Sequence, residues 1–263
     1  MKRQPRKSWK VPTVSSRLAR WKLLMNLKNQ RVVIIGGTAG IGFAVAKLAL
    51  EEGASVLVAS GTQQRVELAV KQLGAEAEGR VLNVLQEDRV DEFFQAADEF
   101  DHLVYTAGDM LAIAQAGTLS LKDAKQRFDV RYWGAYLAVK YGQQKIRKEG
   151  SIVLSSGIAS RRPMKGWSLG ASVTGAMESF TRALAIDLAP IRVNLVSPGA
   201  VRTELWDFVP EQERNALYRE IGERLPVGRI GEPSEVAEAY IYLMKNQFST
   251  GSIVVTDGGG VLV

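Results

Sequence analysis

The chain has 263 residues, no cysteine and a single histidine, which excludes a disulfide framework, thiolate catalysis, cysteine-ligated metal and any multi-histidine metal centre. Hydrophobic residues make up 46% and charged residues 24%, ordinary usage for a globular chain that buries a substantial core. The net charge of +6 is not a nucleic-acid signal, because residues 1–25 carry eight cations and no acid, which leaves −2 for residues 26–263.

Those eight cations, Lys2, Arg3, Arg6, Lys7, Lys10, Arg17, Arg20 and Lys22, read as a basic, disordered extension ahead of a single domain over 26–263. The segment is superficially similar to a mitochondrial presequence, yet it has no apolar run long enough for a secretory signal or a membrane span. The domain is therefore expected in the cytoplasm, with no nucleic-acid or membrane partner.

In chain order, Arg31–Ile35 is a β-branched run that predicts a buried parallel strand. A glycine-rich turn and a helix over Phe43–Glu52 follow, with Gly53 as its stop. Strands are expected at Ser55–Ala59, Gly79–Leu82, His102–Thr106, Ser151–Ser155, Ile191–Val196 and Ser252–Thr256. Helices are expected at Val66–Leu73, Arg89–Ala97, Lys122–Lys148 with one break, and Val173–Leu188 ahead of Pro190. His102 opens a strand, where a structural role outweighs catalysis. The longest irregular stretch, Pro198 to Gly231, reads as a mobile substrate lid with a short helix.

Alternation of strands and helices predicts an α/β Rossmann fold, a doubly wound parallel seven-stranded sheet with helices on both faces. Ligands of such sheets bind beyond the carboxyl ends of the strands. The first such turn reads Gly36-Gly37-Thr38-Ala39-Gly40-Ile41-Gly42. Glycine there lets backbone approach a pyrophosphate, whose charge rests on the amino end of the next helix.

Further motifs follow at regular distances: Thr106-Ala107-Gly108, Phe128-Asp129-Val130, Gly150–Ser156, Thr181–Pro190, Arg192-Val193-Asn194 through Pro198-Gly199 with Thr203, Thr250-Gly251 and Asp257-Gly258-Gly259. Together with Gly36, Gly40 and Gly42 they resemble the short-chain dehydrogenase/reductase family over about residues 26–260. The resemblance implies a nicotinamide dinucleotide held by Gly36, Thr38, Ala39, Gly40, Ile41, Gly42, Ser60, Asn83, Val84, Ala107, Gly108, Pro198, Gly199, Val201 and Thr203. It also implies a small-molecule substrate and a homodimer or homotetramer built through the helices around Phe128–Lys148 and Val173–Leu188 and through the last strand. The second strand runs into Ala59-Ser60-Gly61-Thr62 without the carboxylate that would hold the ribose hydroxyls of NAD. That favours NADP over NAD, with Arg65 one helical turn further on as a substitute phosphate partner.

The family's catalytic tetrad is Asn, Ser, Tyr and Lys, in which tyrosine supplies a proton and the lysine cation lowers its pKa. Register from both sides places the four positions at Arg131, Gly157, Gly170 and Thr174. No tyrosine lies between Tyr141 and Tyr218, and Lys165 is the only lysine between Lys148 and Lys245. Two readings stay open at this point. One is an oxidoreductase acting on a carbonyl or alcohol through a rearranged site, with Arg131, Ser155 and Ser156 as candidate catalytic groups, Ser172 as a further donor, and Lys165 or Tyr105 entering the cleft. Arg161-Arg162 near the mouth would attract an acidic substrate. The other is a catalytically silent dinucleotide-binding sensor or partner subunit.

Overall fold

The computed structural model describes residues 26–108 and 113–263. The basic extension over 1–25 lies outside the described residues. Seven parallel strands, β1 (Arg31–Ile35), β2 (Ser55–Ser60), β3 (Ala77–Val81), β4 (Phe100–Tyr105), β5 (Ile146–Ser155), β6 (Arg192–Pro198) and β7 (Ile253–Thr256), form one sheet in the order β3-β2-β1-β4-β5-β6-β7. The order reverses between β1 and β4, so the doubly wound sheet opens its crevice beyond the carboxyl ends of those two strands.

The continuous apolar runs expected of a sheet covered on both faces are present, and Val32, Val33, Ile34 and Ile35 are all buried. Odd and even strand positions feed two separate cores. On one face, α1 (Gly40–Glu51), α2 (Gln63–Leu73) and α8 (Pro233–Lys245) cover Val32, Ile34, Val56, Val58, Val153 and Val196. On the other, α3 (Glu87–Gln95), α5 (Ala135–Gly142) and α6 (Ser168–Asp187) cover Val33, Ile35, Leu103, Ile152, Leu154 and Leu195.

The stretch expected as one broken helix over Lys122–Lys148 divides into α4 (Leu121–Gln126), a π-helical turn (Asp129–Gly134), α5 and a short 3-10 turn. Its last residues belong to β5, because Ile146 pairs with Phe100 at the sheet edge and is buried there. Helix α6 begins five residues before the expected Val173. Helix α8 was not expected, although Pro233 in its first turn and the reciprocal Glu232/Glu235 capping box mark its start. The irregular stretch holds a 3-10 turn (Glu204–Trp206) and α7 (Glu211–Arg224). Its ends are pinned together, since Gly231 N–H donates to Ala200 O at 3.0 Å and Arg202 N–H to Gly231 O at 2.9 Å.

His102 sits at the amino edge of the sheet, 2% exposed, with Nδ1 2.8 Å from Ser151 Oγ and Nε2 2.8 Å from Gln30 Oε1. Burial, reinforced by the Arg192 charge, pushes its pKa down to about 3, so it is neutral and structural. No helix among the described residues is long and apolar enough to cross a membrane.

Candidate active site

The turn after β1 is shaped by three glycines. Gly36 has φ +89°, and a Cβ on it would fall 2.5 Å from the Ala107 nitrogen. A Cβ on Gly42 would run into the Gly36 carbonyl and the Thr106 hydroxyl. Thr106 fills that corner and donates from Oγ1 to Ile35 O at 3.2 Å. The Thr106-Ala107-Gly108 segment is thus backed directly onto the glycine turn, as the close approach of the two strand ends requires. Ala39 precedes α1 in extended conformation and offers no side-chain cap, and the first turn of the helix carries no acid. An uncapped helix amino end beside a turn whose glycines bare the backbone is what a pyrophosphate needs. The residues present therefore fit the dinucleotide.

The residues expected at the cofactor lie around this turn as follows. Gly40 has φ +51°, and Thr203 stands over it with Cγ2 3.2 Å from where its Cβ would be. Glu204, absent from the sequence-based set, also reaches this point, with Oε2 3.2 Å from the same position. Its place next to Thr203 in the chain was the available signal. Ser60 ends β2, and Gly61 beyond it has nothing within 4 Å of a would-be Cβ, so space is open there. Arg65 is exposed in the first turn of α2. Asn83 uses Oδ1 to accept from Leu85 N–H at 3.1 Å. Val84 is buried, with its side chain packed against Gly134. Pro198 ends β6 and Gly199 follows it, pressed against Asp257, and Val201 is buried while its carbonyl accepts from Trp206 Nε1 at 2.9 Å.

On the substrate side, Arg131 lies in the π-helical turn with its guanidinium against Gly108. A Cβ on Gly108 would stand 2.9 Å from Nη2, 3.0 Å from Cζ and 3.1 Å from Nη1. The Gly157 backbone is open, with only the Thr174 methyl at 3.6 Å and the Pro198 carbonyl at 3.8 Å from a would-be Cβ. Gly170 and Thr174 are both buried on α6, one turn apart, and Thr174 Oγ1 donates to Gly170 O at 2.8 Å. The sequence of α6 contains neither tyrosine nor lysine.

Several candidate donors are committed elsewhere. Ser155 faces the α8 layer, where Oγ donates to Tyr105 O at 2.6 Å and lies 2.6 Å from Tyr240 OH. Ser156 is on the cleft side but nearly buried, and its hydroxyl donates to Thr174 O at 2.9 Å. Ser172 donates to Ser168 O on the exposed side of α6. Tyr105, expected as a possible cleft residue, is 1% exposed and donates to Val130 O. Arg161 does not wait at the mouth for an acid, because its Nε donates to Glu178 Oε1 at 3.0 Å. Burial pushes the Glu178 carboxyl up, but hydrogen bonds from Arg161 and Ser160 and the Arg161 charge outweigh it and hold the group below the usual carboxylate range. Arg162 and Lys165 are exposed.

In the stretch after β6, Trp206 stacks with Phe208 at 6.3 Å between ring centroids and meets Tyr218 of α7 edge-on at 6.2 Å. Arg202 lies 4.6 Å from the Tyr218 ring centre and donates to Glu232. Trp206, Phe208 and Tyr218 thus form one aromatic cluster, which Arg202 ties to Glu232 at the start of α8.

The family model described as enoyl-(acyl carrier protein) reductase matches residues 36–260. A short-chain dehydrogenase/reductase of Gibberella fujikuroi is 34% identical over 259 residues, covering 92% of this chain and 98% of that protein. A small-chain dehydrogenase solved in complex with NADPH superposes with a TM-score of 0.79 at 36% identity, covering 90% of this chain and 100% of that one. The structure of the MalC reductase/Diels-Alderase of Malbranchea aurantiaca superposes with a TM-score of 0.84 at 31% identity, covering 91% and 99%.

Proposed function

The chain belongs to the short-chain dehydrogenase/reductase family of oxidoreductases, and from that premise we propose an NADPH-dependent reductase of a carbonyl group that works through Arg131 without a tyrosine acid. The observation that carries this reading is the Arg131 guanidinium against Gly108, at the position of the family's asparagine and next to the dinucleotide cradle. The tetrad positions Arg131, Gly157, Gly170 and Thr174 then hold no proton donor of suitable pKa.

Gly36, Ala39, Gly40 and Gly42 would hold the pyrophosphate through backbone N–H groups, with Ser60 and Asn83 towards the adenosine and Thr203 towards the nicotinamide. The bound dinucleotide supplies a hydride. Arg131 stabilises the negative charge that develops on the substrate oxygen, which a planar, permanently charged fork does well. A guanidinium that keeps its proton across the working pH range is a poor acid, so the proton comes from water rather than from the side chain. The bare backbone at Gly157, where a would-be Cβ meets nothing nearer than 3.6 Å, would leave room for a bulky substrate. NADPH is favoured over NADH because no acid stands in Ala59-Ser60-Gly61-Thr62 to repel a 2′-phosphate, Arg65 lies just beyond, and a 36% identical relative was solved with NADPH. Self-association through α5 and α6 is supported by exposed Trp133 and Tyr136 beside Tyr132 and Phe180, an aromatic patch that a second copy would cover.

Fluorescence titration with NADPH and NADH tests the cofactor reading. We expect micromolar NADPH binding, at least tenfold weaker NADH binding, and loss of both in Gly42→Val. Absence of binding of either nucleotide at millimolar concentration in the unsubstituted protein would overturn it.

A further inference from the structure

We infer that Tyr105, a core tyrosine behind the cleft, is the positioning residue that aims Arg131. The inference rests on the Arg131 reading above and concerns how the fold fixes that side chain. Arg131 sits in the middle of the π-helical turn Asp129–Gly134, where Trp133 N–H reaches back five residues to Phe128 O at 3.1 Å. A widened turn of this kind disturbs the regular backbone pairing and needs outside partners to hold it in one conformation. At the end of the turn, the cap N–H donates to Tyr132 O. The Val130 carbonyl is taken by the Tyr105 hydroxyl, donated from a fully buried ring on β4.

The contact is built from both sides. Gly134 closes the same turn, and a Cβ on it would collide with the Tyr105 hydroxyl and stand 2.9 Å from Val84 Cγ2. Glycine at 134 therefore makes the space that the tyrosine hydroxyl uses. Tyr105 is followed directly by Thr106-Ala107-Gly108, and Gly108 is the residue on which the Arg131 guanidinium rests. One tyrosine thus fixes the backbone on which Arg131 is mounted, one bond from that residue, while its own strand leads to the surface that receives the guanidinium. Buried polar pairings of this kind restrict a segment to a single arrangement.

The test is site-resolved labelling of arginines by phenylglyoxal, read by peptide mass spectrometry on the full chain, for the wild type and Tyr105→Phe. The expected result is a change of at least fivefold in the Arg131 labelling rate, with Arg202 and Arg224 within twofold of wild type and NADPH affinity within threefold. An Arg131 rate within twofold of wild type in a folded Tyr105→Phe protein overturns the inference. Where Tyr105→Phe does not fold, Gly134→Ala carries the same expectation, and failure of both to fold also overturns it, because positioning leaves the core intact. Labelling requires no turnover, so this arm stands apart from the catalytic reading. Where turnover is measured, kcat falls in Tyr105→Phe with KM for NADPH unchanged, and Tyr105→Phe combined with Arg131→Met is no slower than Arg131→Met alone. Full turnover in Arg131→Met with altered labelling in Tyr105→Phe sinks the catalytic reading only. Lost turnover in Arg131→Met with unaltered labelling sinks this inference only.

Discussion

Ser155 Oγ and Tyr240 OH lie 2.6 Å apart across the junction of β5 and α8. Because the single Ser155 proton is donated to Tyr105 O, Tyr240 is the donor in this pair, and burial pushes its phenol pKa well up. Ser155→Ala removes the acceptor and leaves a buried phenol unpaired, which costs about 1–3 kcal/mol. We expect the urea midpoint to fall accordingly while NADPH affinity and any turnover stay within twofold of wild type. A tenfold loss of turnover at unchanged stability would return Ser155 to the catalytic set.

Glu204 brings a carboxylate to the same point of the cradle as Thr203, beside Gly40. A negative charge at the entrance to a phosphate site opposes the pyrophosphate, and salt screens that repulsion. Glu204→Gln should tighten NADPH binding about 3–10-fold at low ionic strength, with the gain shrinking as salt is raised. Unchanged or weaker binding at low salt would show that Glu204 does not oppose the phosphates.

The cradle was legible in the sequence because its physics is local: glycines where backbone must approach, between a strand and a helix. The sheet was legible too, since β-branched runs mark parallel strands whatever lies around them. The serines were less so, although the twofold period of a strand already says that neighbours such as Ser155 and Ser156 point to opposite faces. Only one of them could reach the cleft, and that one is spent on Thr174 O. The π-helical turn left no periodic trace, because its extra residue is stabilised by Tyr105 from a distant strand. Helix α8 escaped although Glu232, Pro233 and Glu235 carry a start signal, since its interior from Val236 to Met244 is a largely apolar run broken only by Glu238.

His102 gives the protein an acid sensitivity. Its folded pKa, about 3, lies below the model-peptide value of 6.5, so the unfolded chain binds the proton first as pH falls. Stability is therefore full above pH 6.5 and is lost as pH drops towards 3. At pH 5 the loss amounts to ~2 kcal/mol, before the carboxylates contribute. Denaturant midpoints between pH 7 and pH 5 should show this slope in the wild type and lose it in His102→Gln. An equal slope in both proteins would place the acid sensitivity elsewhere.

NADPH oxidation against a broad carbonyl panel, comparing wild type with Arg131→Met, tests most directly whether Arg131 carries the chemistry in a site without a tyrosine acid. Removing an oxyanion donor typically costs ~10²–10³-fold in turnover. We predict measurable wild-type turnover on at least one carbonyl and a loss of that order in Arg131→Met, with NADPH affinity retained. Turnover that survives the substitution undiminished, or a wild type that binds NADPH yet reduces nothing in the panel, would contradict it.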